Sequence, residues 1–158
     1  MVHHSDLDLD VSSGLRFHPI EILASMLYKI GIVYLLGPAP LAVFVFEVIL
    51  NGMALFSHSN ITLPDKMDRL CRSLIVTPDM HRIHHSVEVR ETNSNYGFNL
   101  SIWDRMLGTY TREALKAQPE IVIGLETFRR PEEVTFKNLL IMPLQNTSQE
   151  YSQSSQIK

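Results

Sequence analysis

The longest apolar stretch of the chain lies within residues 20–57 and is interrupted once. Only Glu21, Lys29 and Glu47 carry charge there, and Gly-Pro-Ala-Pro at residues 37–40 divides the stretch into two halves. Each half has about 17 residues, close to the ~20 that an α-helix needs to cross a bilayer. The pattern predicts a helical hairpin that enters the membrane and returns. A pair of buried core helices in a soluble protein is the alternative.

The distribution of positive charge predicts the orientation of this hairpin. Its tip lacks basic residues, whereas basic residues flank its base at Arg16, Lys66, Arg69 and Arg72. Lys and Arg are enriched in the cytoplasmic segments of membrane proteins. We therefore expect the base, with the polar segments attached to it, on the cytoplasmic side of a bacterial inner membrane or of the endoplasmic reticulum.

Shorter helical patterns follow the hairpin. Apolar side chains recur at helical spacing among charged ones at Met67, Leu70, Leu74 and Ile75. This spacing predicts an amphipathic helix at the membrane surface. Thr77 is a good N-cap, and Pro78 fits the first position of the next helix. A last helix is expected from Pro131 to Leu140.

The predicted fold is therefore all-α, with an integral-membrane helical hairpin and a cytoplasmic helical cap. Residues 144–158 are polar and predict a disordered tail. The net charge of −3, without a run of Lys and Arg, argues against a nucleic-acid partner. Cys71 is the single cysteine, which excludes an internal disulfide and a cysteine-based metal cluster.

The histidines are the main candidates for chemistry. His81, His84 and His85 are three and four residues apart, so they share one face of the helix that Thr77 caps. Neutral imidazole is a common ligand of iron, zinc and copper. The spacing predicts a metal site, and a histidine-rich helix face without a metal is the alternative.

A shortened copy of this cluster is found at the start of the chain. Val-His-His-Ser at residues 2–5 aligns with Ile-His-His-Ser at residues 83–86. The histidine that matches His81 would fall directly before Met1, so the motif predicts that the chain is N-terminally incomplete. His58 follows the second apolar helix and is a further candidate ligand.

Four segments, in this order, resemble the fatty acid hydroxylase/sterol desaturase superfamily of integral-membrane di-iron oxygenases. They are VHHSDLDLDVSSGLRFHPIE, FSHSNI, TPDMHRIHHS and NSNYGFNLSIWDRMLGTY, and they lie within residues 2–110. The segments LRFHPIE and IVTPDMHR are most similar to sequences of the bacterial branch, whose members are often described as sterol desaturases. The resemblance implies that residues 1–143 are the C-terminal part of such a domain.

Three histidine boxes are typical of this superfamily. The last box is complete as His81, His84 and His85, the middle box keeps His3 and His4, and the first box is not found in the chain. Six metal ligands are therefore expected, the sixth being His58.

The resemblance also implies residues that support the ligands. Asp104 and Asn95 are expected to hydrogen bond to the second ring nitrogens of ligating histidines. His18, which precedes Pro19, is expected either to ligate the metal or to support a ligand in the same way.

The implied activity is oxidation of a lipid by O2. Two iron ions would be the cofactors, although zinc would bind the same nitrogens. An external donor, cytochrome b5-like or ferredoxin, would supply two electrons for hydroxylation or desaturation of a sterol or fatty-acyl lipid in lipid biosynthesis. The alternatives are a catalytically incomplete, metal-binding membrane remnant and, less favoured, a soluble helical protein with a zinc site.

Overall fold

The computed structural model describes residues 1–145, which contain α-helices and 3-10 turns and no β-strand. The predicted all-α fold is confirmed. The α-helices in this part of the chain are α1 (Pro19–Leu36), α2 (Pro40–Ser57), α3 (Asp65–Cys71), α4 (Pro78–His84), α5 (Val89–Thr92), α6 (Ile102–Leu107) and α7 (Phe136–Ile141). The tail predicted over residues 144–158 lies outside the described residues except for its first two.

α1 and α2 form the predicted hairpin. Each has 18 residues, with mean hydropathies of 1.6 and 1.8, and each is long and apolar enough to cross a membrane. Gly37 ends α1 in the left-handed conformation at φ 58°, which glycine adopts without strain. No residue of α1 is buried within the chain, and in α2 only Ala54 and Ser57 are. The core helix of a soluble domain would instead bury an apolar face.

One ion pair joins the two helices of the hairpin. The Nζ atom of Lys29 on α1 lies 2.7 Å from Oε1 of Glu47 on α2. The amide of Asn51 also donates to the Glu47 carbonyl, at 2.7 Å. The two charged residues in the middle of the hairpin therefore neutralise each other.

α4 starts as the sequence predicts and packs at the centre of the polar half. The Thr77 hydroxyl accepts from the Met80 amide at 3.4 Å and donates to Asp68 Oδ1 at 2.6 Å. Met80 and Ile83 are fully buried. Ile83 belongs to a small apolar core that also contains Leu9, Ile121 and Ile123.

The prediction of one continuous last helix from Pro131 to Leu140 is wrong. A 3-10 turn occupies Pro131–Val134, and α7 begins only at Phe136 after Thr135, whose backbone is extended at ψ 155°. The Glu133 carboxylate accepts from the Arg130 amide at 3.0 Å and from its guanidinium. This local pairing favours a single closed turn, and the chain must restart its helix after it.

Candidate metal centre

Three separate segments bring six histidine rings into one cluster. His3 and His4 lie on the 3-10 turn His3–Ser5, His58 is the C-cap of α2, and α4 with its C-cap provides the other three. The ring centroids of His3 and His58 are 4.9 Å apart. Those of His4 and His85 are 4.4 Å apart and their rings are stacked. All six predicted ligands are therefore neighbours in the fold.

Four of these rings place their Nε2 atoms close together. The Nε2 atom of His58 lies 3.1 Å from that of His3 and 3.0 Å from that of His81. The Nε2 atoms of His81 and His85 are 3.1 Å apart. One ligand atom from each of the four residues lies within 4.8 Å of every other.

Hydrogen bonds alone do not account for this arrangement. The Nδ1 atom of His58 is 2.7 Å from the Ala54 carbonyl and must donate to it, so the His58 Nε2 carries a lone pair. A single hydrogen on His81 Nε2 cannot point at both His58 and His85. At least one of the short contacts therefore brings two nitrogens together without a hydrogen bond.

A metal ion fits this donor set. Two imidazole nitrogens that each lie about 2.0–2.1 Å from one ion are themselves separated by roughly 3 Å. The observed contacts of 3.0–3.1 Å have this spacing. A cation among four converging lone pairs would also remove their mutual repulsion.

The electrostatics keep the imidazoles neutral, as metal ligation requires. Burial is the largest cause and the nearby His58 the second, and together they lower the pKa of His3 to about 4. Burial, followed by the nearby His84, lowers the pKa of His4 to about 3. Burial also lowers the pKa values of His81 and His85 well below their ordinary range, with other imidazoles as the second cause.

Backbone carbonyls orient two of the rings. Ala54 accepts from His58 Nδ1 at 2.7 Å, and Ser94 accepts from His84 Nδ1 at 2.8 Å. Each bond fixes the tautomer that leaves Nε2 free. Sequence reasoning missed both partners, because a carbonyl is present at every residue and gives no signal in the sequence.

Among the described residues, Asp104 and Asn95 form no hydrogen bond to the histidine rings that they were expected to support. Asp104 is 1% exposed and accepts from the amides of Tyr96 and Gly97, at 2.7 and 2.8 Å, and from the Thr109 hydroxyl at 2.7 Å. The Asn95 amide donates to the Met80 carbonyl at 3.2 Å. Both side chains hold the loop that presents the Ser94 carbonyl, so their effect on His84 is indirect.

The loop after Asn95 has no room for a side chain at Gly97. A Cβ atom at this position would lie 2.7 Å from Asp104 Oδ2 and 2.7 Å from the Leu100 carbonyl. Any larger residue would push Asp104 away from the amides that it binds. The motif Asn-Tyr-Gly and the later Trp-Asp-Arg thus form one structural unit.

His18 lies outside the cluster's hydrogen bonds. Its Nδ1 atom accepts from the Ile20 amide at 3.2 Å as the N-cap of α1, and its Nε2 donates to the Leu140 carbonyl at 3.1 Å. Both ring nitrogens are therefore used in anchoring α1 to α7. The structure therefore does not bring His18 into the histidine cluster.

Two further residues shape the cluster. Phe17 stacks on His3, with centroids 4.8 Å apart and planes 5° from parallel. A Cβ atom at Gly14 would lie 3.2 Å from His58 Nδ1 and 3.3 Å from the Ala54 carbonyl. Phe17 lies in LRFHPIE and Gly14 directly precedes that segment, but neither type is a metal ligand, so sequence reasoning did not single them out.

Comparison with known proteins identifies the family. The model of the family described as Fatty acid hydroxylase matches residues 1–109, which include all six clustered histidines and Asp104. The chain belongs to the fatty acid hydroxylase family. The resemblance of residues 2–110 to this superfamily is thereby confirmed.

The names of curated relatives of this fatty acid hydroxylase family member describe enzymes that oxidise lipids. The ornithine lipid hydroxylase OlsE of Rhizobium tropici is 40% identical over 114 residues, which cover 69% of this chain and 32% of that protein. The alkylglycerol monooxygenase of Xenopus tropicalis is 26% identical over 140 residues, 89% of this chain and 30% of that protein. The human alkylglycerol monooxygenase is 27% identical over 138 residues, 87% of this chain and 29% of that protein. The chain thus spans about a third of the length of these relatives. No solved structure matches it.

Proposed function

We propose that residues 1–143 are the metal-binding part of a membrane-bound lipid hydroxylase. The observation that carries the proposal is the convergence of four Nε2 atoms with contacts of 3.0–3.1 Å. The first metal ion would be held by His3, His58, His81 and His85.

His4 and His84 would contribute to a second metal ion. Their ring centroids are 4.6 Å apart, and the Ser94 carbonyl already holds Nδ1 of His84, which leaves its Nε2 for a metal. Both rings lie beside His85, with centroids 4.4 Å and 5.6 Å from it. The second ion would therefore sit next to the first, with these two imidazoles as part of its ligand set.

Iron is the metal that we propose, although zinc would bind the same nitrogens. Iron bound there would supply the activation of O2 that oxidation of an aliphatic C–H bond requires, with electrons from an external donor such as a cytochrome b5-like protein or a ferredoxin. The protein's own contribution is to keep the imidazoles neutral, fix their tautomers and bury them away from bulk water. Burial also protects a reactive centre from side reactions.

The hairpin of α1 and α2 would place this centre beside its substrate. Both helices carry apolar side chains on all sides, which suits lipid and not water. His58 lies directly at the end of α2, so the cluster would sit at the membrane surface, on the cytoplasmic side if the basic residues at the hairpin base follow the usual rule.

The names of the relatives favour hydroxylation of a polar lipid. The names ornithine lipid hydroxylase and alkylglycerol monooxygenase both denote enzymes that add oxygen to their substrate. Sterol oxidation and desaturation, which the sequence resemblance also implied, have no counterpart among these names. We therefore propose a glycerol-based or amino-acid-based lipid as the substrate class.

The test is oxygen incorporation by the reconstituted chain. The protein is placed in bacterial polar-lipid vesicles with Fe(II), a chemical reductant and 18O2, and the extracted lipids are analysed by mass spectrometry. We expect lipids that contain 18O, and none with His81→Ala/His85→Ala. His18→Asn is the matched control, because Asn also caps a helix and His18 is not in the cluster.

A metal-binding membrane protein without turnover is the second candidate. The observation in its favour is that the described residues offer four nitrogens to one ion but only two imidazoles, His4 and His84, to another. Stoichiometric iron binding with no 18O in any lipid would support this candidate and contradict hydroxylation by this chain alone. Absence of metal binding would contradict both.

A further inference from the structure

The helix α3 exposes apolar side chains and buries charged ones. Asp68 and the C-cap residue Arg72 are 8% and 7% exposed and form an ion pair. Met67 and Leu70 are 54% and 73% exposed, and Leu74 just beyond the helix is 59% exposed. A helix on the surface of a water-soluble domain has the opposite arrangement.

The helix α6 has the same inverted arrangement. Its N-cap Ser101 is fully buried and Asp104 is 1% exposed. The opposite side is apolar and open, with Trp103 at 54%, Met106 at 70% and Leu107 at 76% exposure. Two neighbouring segments with inverted faces are not explained by a single stray apolar residue.

Hydrogen bonds join these two helices into one surface. The hydroxyl of Ser101 donates to the Arg72 carbonyl at 2.6 Å, and the Arg105 guanidinium donates to the same oxygen at 2.8 Å. The Ser101 amide donates to the Leu74 carbonyl at 3.1 Å. We call the resulting surface the α3–α6 face; its exposed apolar residues are Met67, Leu70, Leu74, Ile102, Trp103, Met106 and Leu107.

We propose that the α3–α6 face docks on the lipid bilayer as an interfacial platform, separate from the membrane hairpin. Continuity with the hairpin is the first argument. α2 ends at Ser57 and α3 begins at Asp65, so the chain between them spans at most roughly 30 Å. The face is therefore tethered near the point where the hairpin leaves the membrane.

The composition of the face is the second argument. Lys66 and Arg69 are exposed beside its apolar residues on α3. Amphipathic helices that lie in the membrane interface combine such cations with Trp and Leu, because the cations meet lipid phosphates while the apolar side chains enter the acyl boundary. Trp103 is of the type that anchors at this depth.

The single tryptophan of the chain makes the proposal directly measurable. The whole chain is reconstituted into vesicles of phosphatidylglycerol and phosphatidylethanolamine, with and without lipids brominated near the carbonyl end of the acyl chain. We expect blue-shifted Trp103 emission that brominated lipid quenches strongly and iodide quenches weakly. Water-like emission that only iodide quenches would overturn the proposal.

A second copy of the chain is the competing occupant of the face. It would give blue-shifted emission that brominated lipid does not quench and that changes with the protein-to-lipid ratio, and this result would also overturn the proposal. Trp103→Phe/Leu115→Trp moves the probe to a residue that is 74% exposed outside the face. We expect iodide to quench the moved probe and brominated lipid to leave it unaffected; equal lipid quenching at both positions would contradict a specific face.

A charged variant supplies an independent measurement. Leu70→Glu/Met106→Glu places two carboxylates on the face without touching the histidine cluster. We expect at least a twofold loss of lipid quenching at Trp103 with metal binding unchanged. The proposal does not depend on the metal or on catalysis, so its failure would leave the proposed function standing, and the reverse also holds.

Discussion

The Nε2 atoms of His58 and His81 lie 3.0 Å apart, although 23 residues separate them along the chain. One belongs to the end of a long apolar helix and the other to a short buried helix of the polar half. The contact therefore couples the apolar hairpin to the histidine cluster. Any change that moves the end of α2 should therefore change the affinity of the cluster for a metal ion.

Gly14 tests this coupling. Gly14→Ala places a Cβ atom 3.2 Å from His58 Nδ1 and 3.3 Å from the Ala54 carbonyl, so the hydrogen bond that orients His58 must shift. Overpacking of this kind costs about 1–3 kcal/mol, which corresponds to roughly 5- to 140-fold weaker metal binding if the cost falls on the bound state. Calorimetric titration with Fe(II) or Co(II) measures it.

Gly52→Ala is the matched control for that experiment. Gly52 also lies on α2, but an added Cβ atom there meets nothing within 4 Å. We expect its metal affinity to equal that of the unchanged chain. Equal affinities in all three proteins would show that the end of α2 does not control the cluster.

Asp104 should act on the metal through the loop that it holds. Asp104→Asn turns an amide NH2 toward the Gly97 or Tyr96 amide, where the carboxylate now accepts at 2.8 and 2.7 Å. Losing such charge-assisted bonds costs about 1.5–3 kcal/mol of unfolding free energy. The loop presents the Ser94 carbonyl to His84, which would ligate the second metal ion. We therefore expect the affinity for the second ion to fall more than the affinity for the first.

The control for this change is Thr109→Val, which removes only the hydroxyl that donates to Asp104. It should cost roughly 1 kcal/mol and leave both metal-binding steps intact. If Asp104→Asn lowers stability but changes neither step, the positioning role of Asp104 is wrong.

The lowered histidine pKa values predict how stability depends on pH. In the unfolded chain His3 and His4 take up protons near their ordinary pKa of 6.5, but in the fold their pKa values fall to about 4 and about 3. The unfolded state therefore binds more protons over this range, and the metal-free fold loses stability as the pH falls from 6.5 toward 4. Above pH 6.5 these groups add no further change.

Denaturant unfolding in detergent at pH 7.5, 6 and 5, with a chelator present, measures this dependence. His3→Gln/His4→Gln replaces the two rings by groups that do not titrate, and its stability should vary less over the same range. A wild-type stability that stays constant down to pH 5 would contradict the inferred burial of neutral imidazoles.

The pair of Lys29 and Glu47 should stabilise the hairpin in lipid. Lys29→Glu sets two carboxylates against each other where the Nζ–Oε1 distance is now 2.7 Å. An unpaired charge inside a bilayer costs about 2.5 kcal/mol or more, so the melting temperature in vesicles should fall clearly. Lys29→Glu/Glu47→Lys restores opposite charges and should recover most of the loss; no recovery would mean that the pair does not form in the membrane.

The sequence was sufficient for the features that depend on local pattern. The hairpin followed from apolar length, α4 from Thr77 and Pro78, and the grouping of His81, His84 and His85 from helical spacing. The roles of Asp104, Asn95 and His18 could not be predicted in this way. Their partners are backbone groups brought near by tertiary folding, as the Leu140 carbonyl is for His18, and backbone groups leave no mark in a sequence.

The inverted faces of α3 and α6 show a different limit. Helical spacing placed Met67 and Leu70 correctly on one side of α3, although the helix ends at Cys71, before the predicted positions Leu74 and Ile75. It did not show that the charged Asp68 and Arg72 on the other side are the buried ones. Burial depends on whether water or lipid surrounds the chain, and periodicity alone does not distinguish these solvents.

The most direct test of the central claim is X-ray absorption at the iron edge, on the chain loaded with one equivalent of Fe(II). We expect a first shell rich in nitrogen, with the outer-shell scattering of about four imidazoles and the loss of about one in His58→Ala. A shell of oxygen atoms, or a spectrum that His58→Ala and His81→Ala leave unchanged, would show that the four converging nitrogens do not hold the metal.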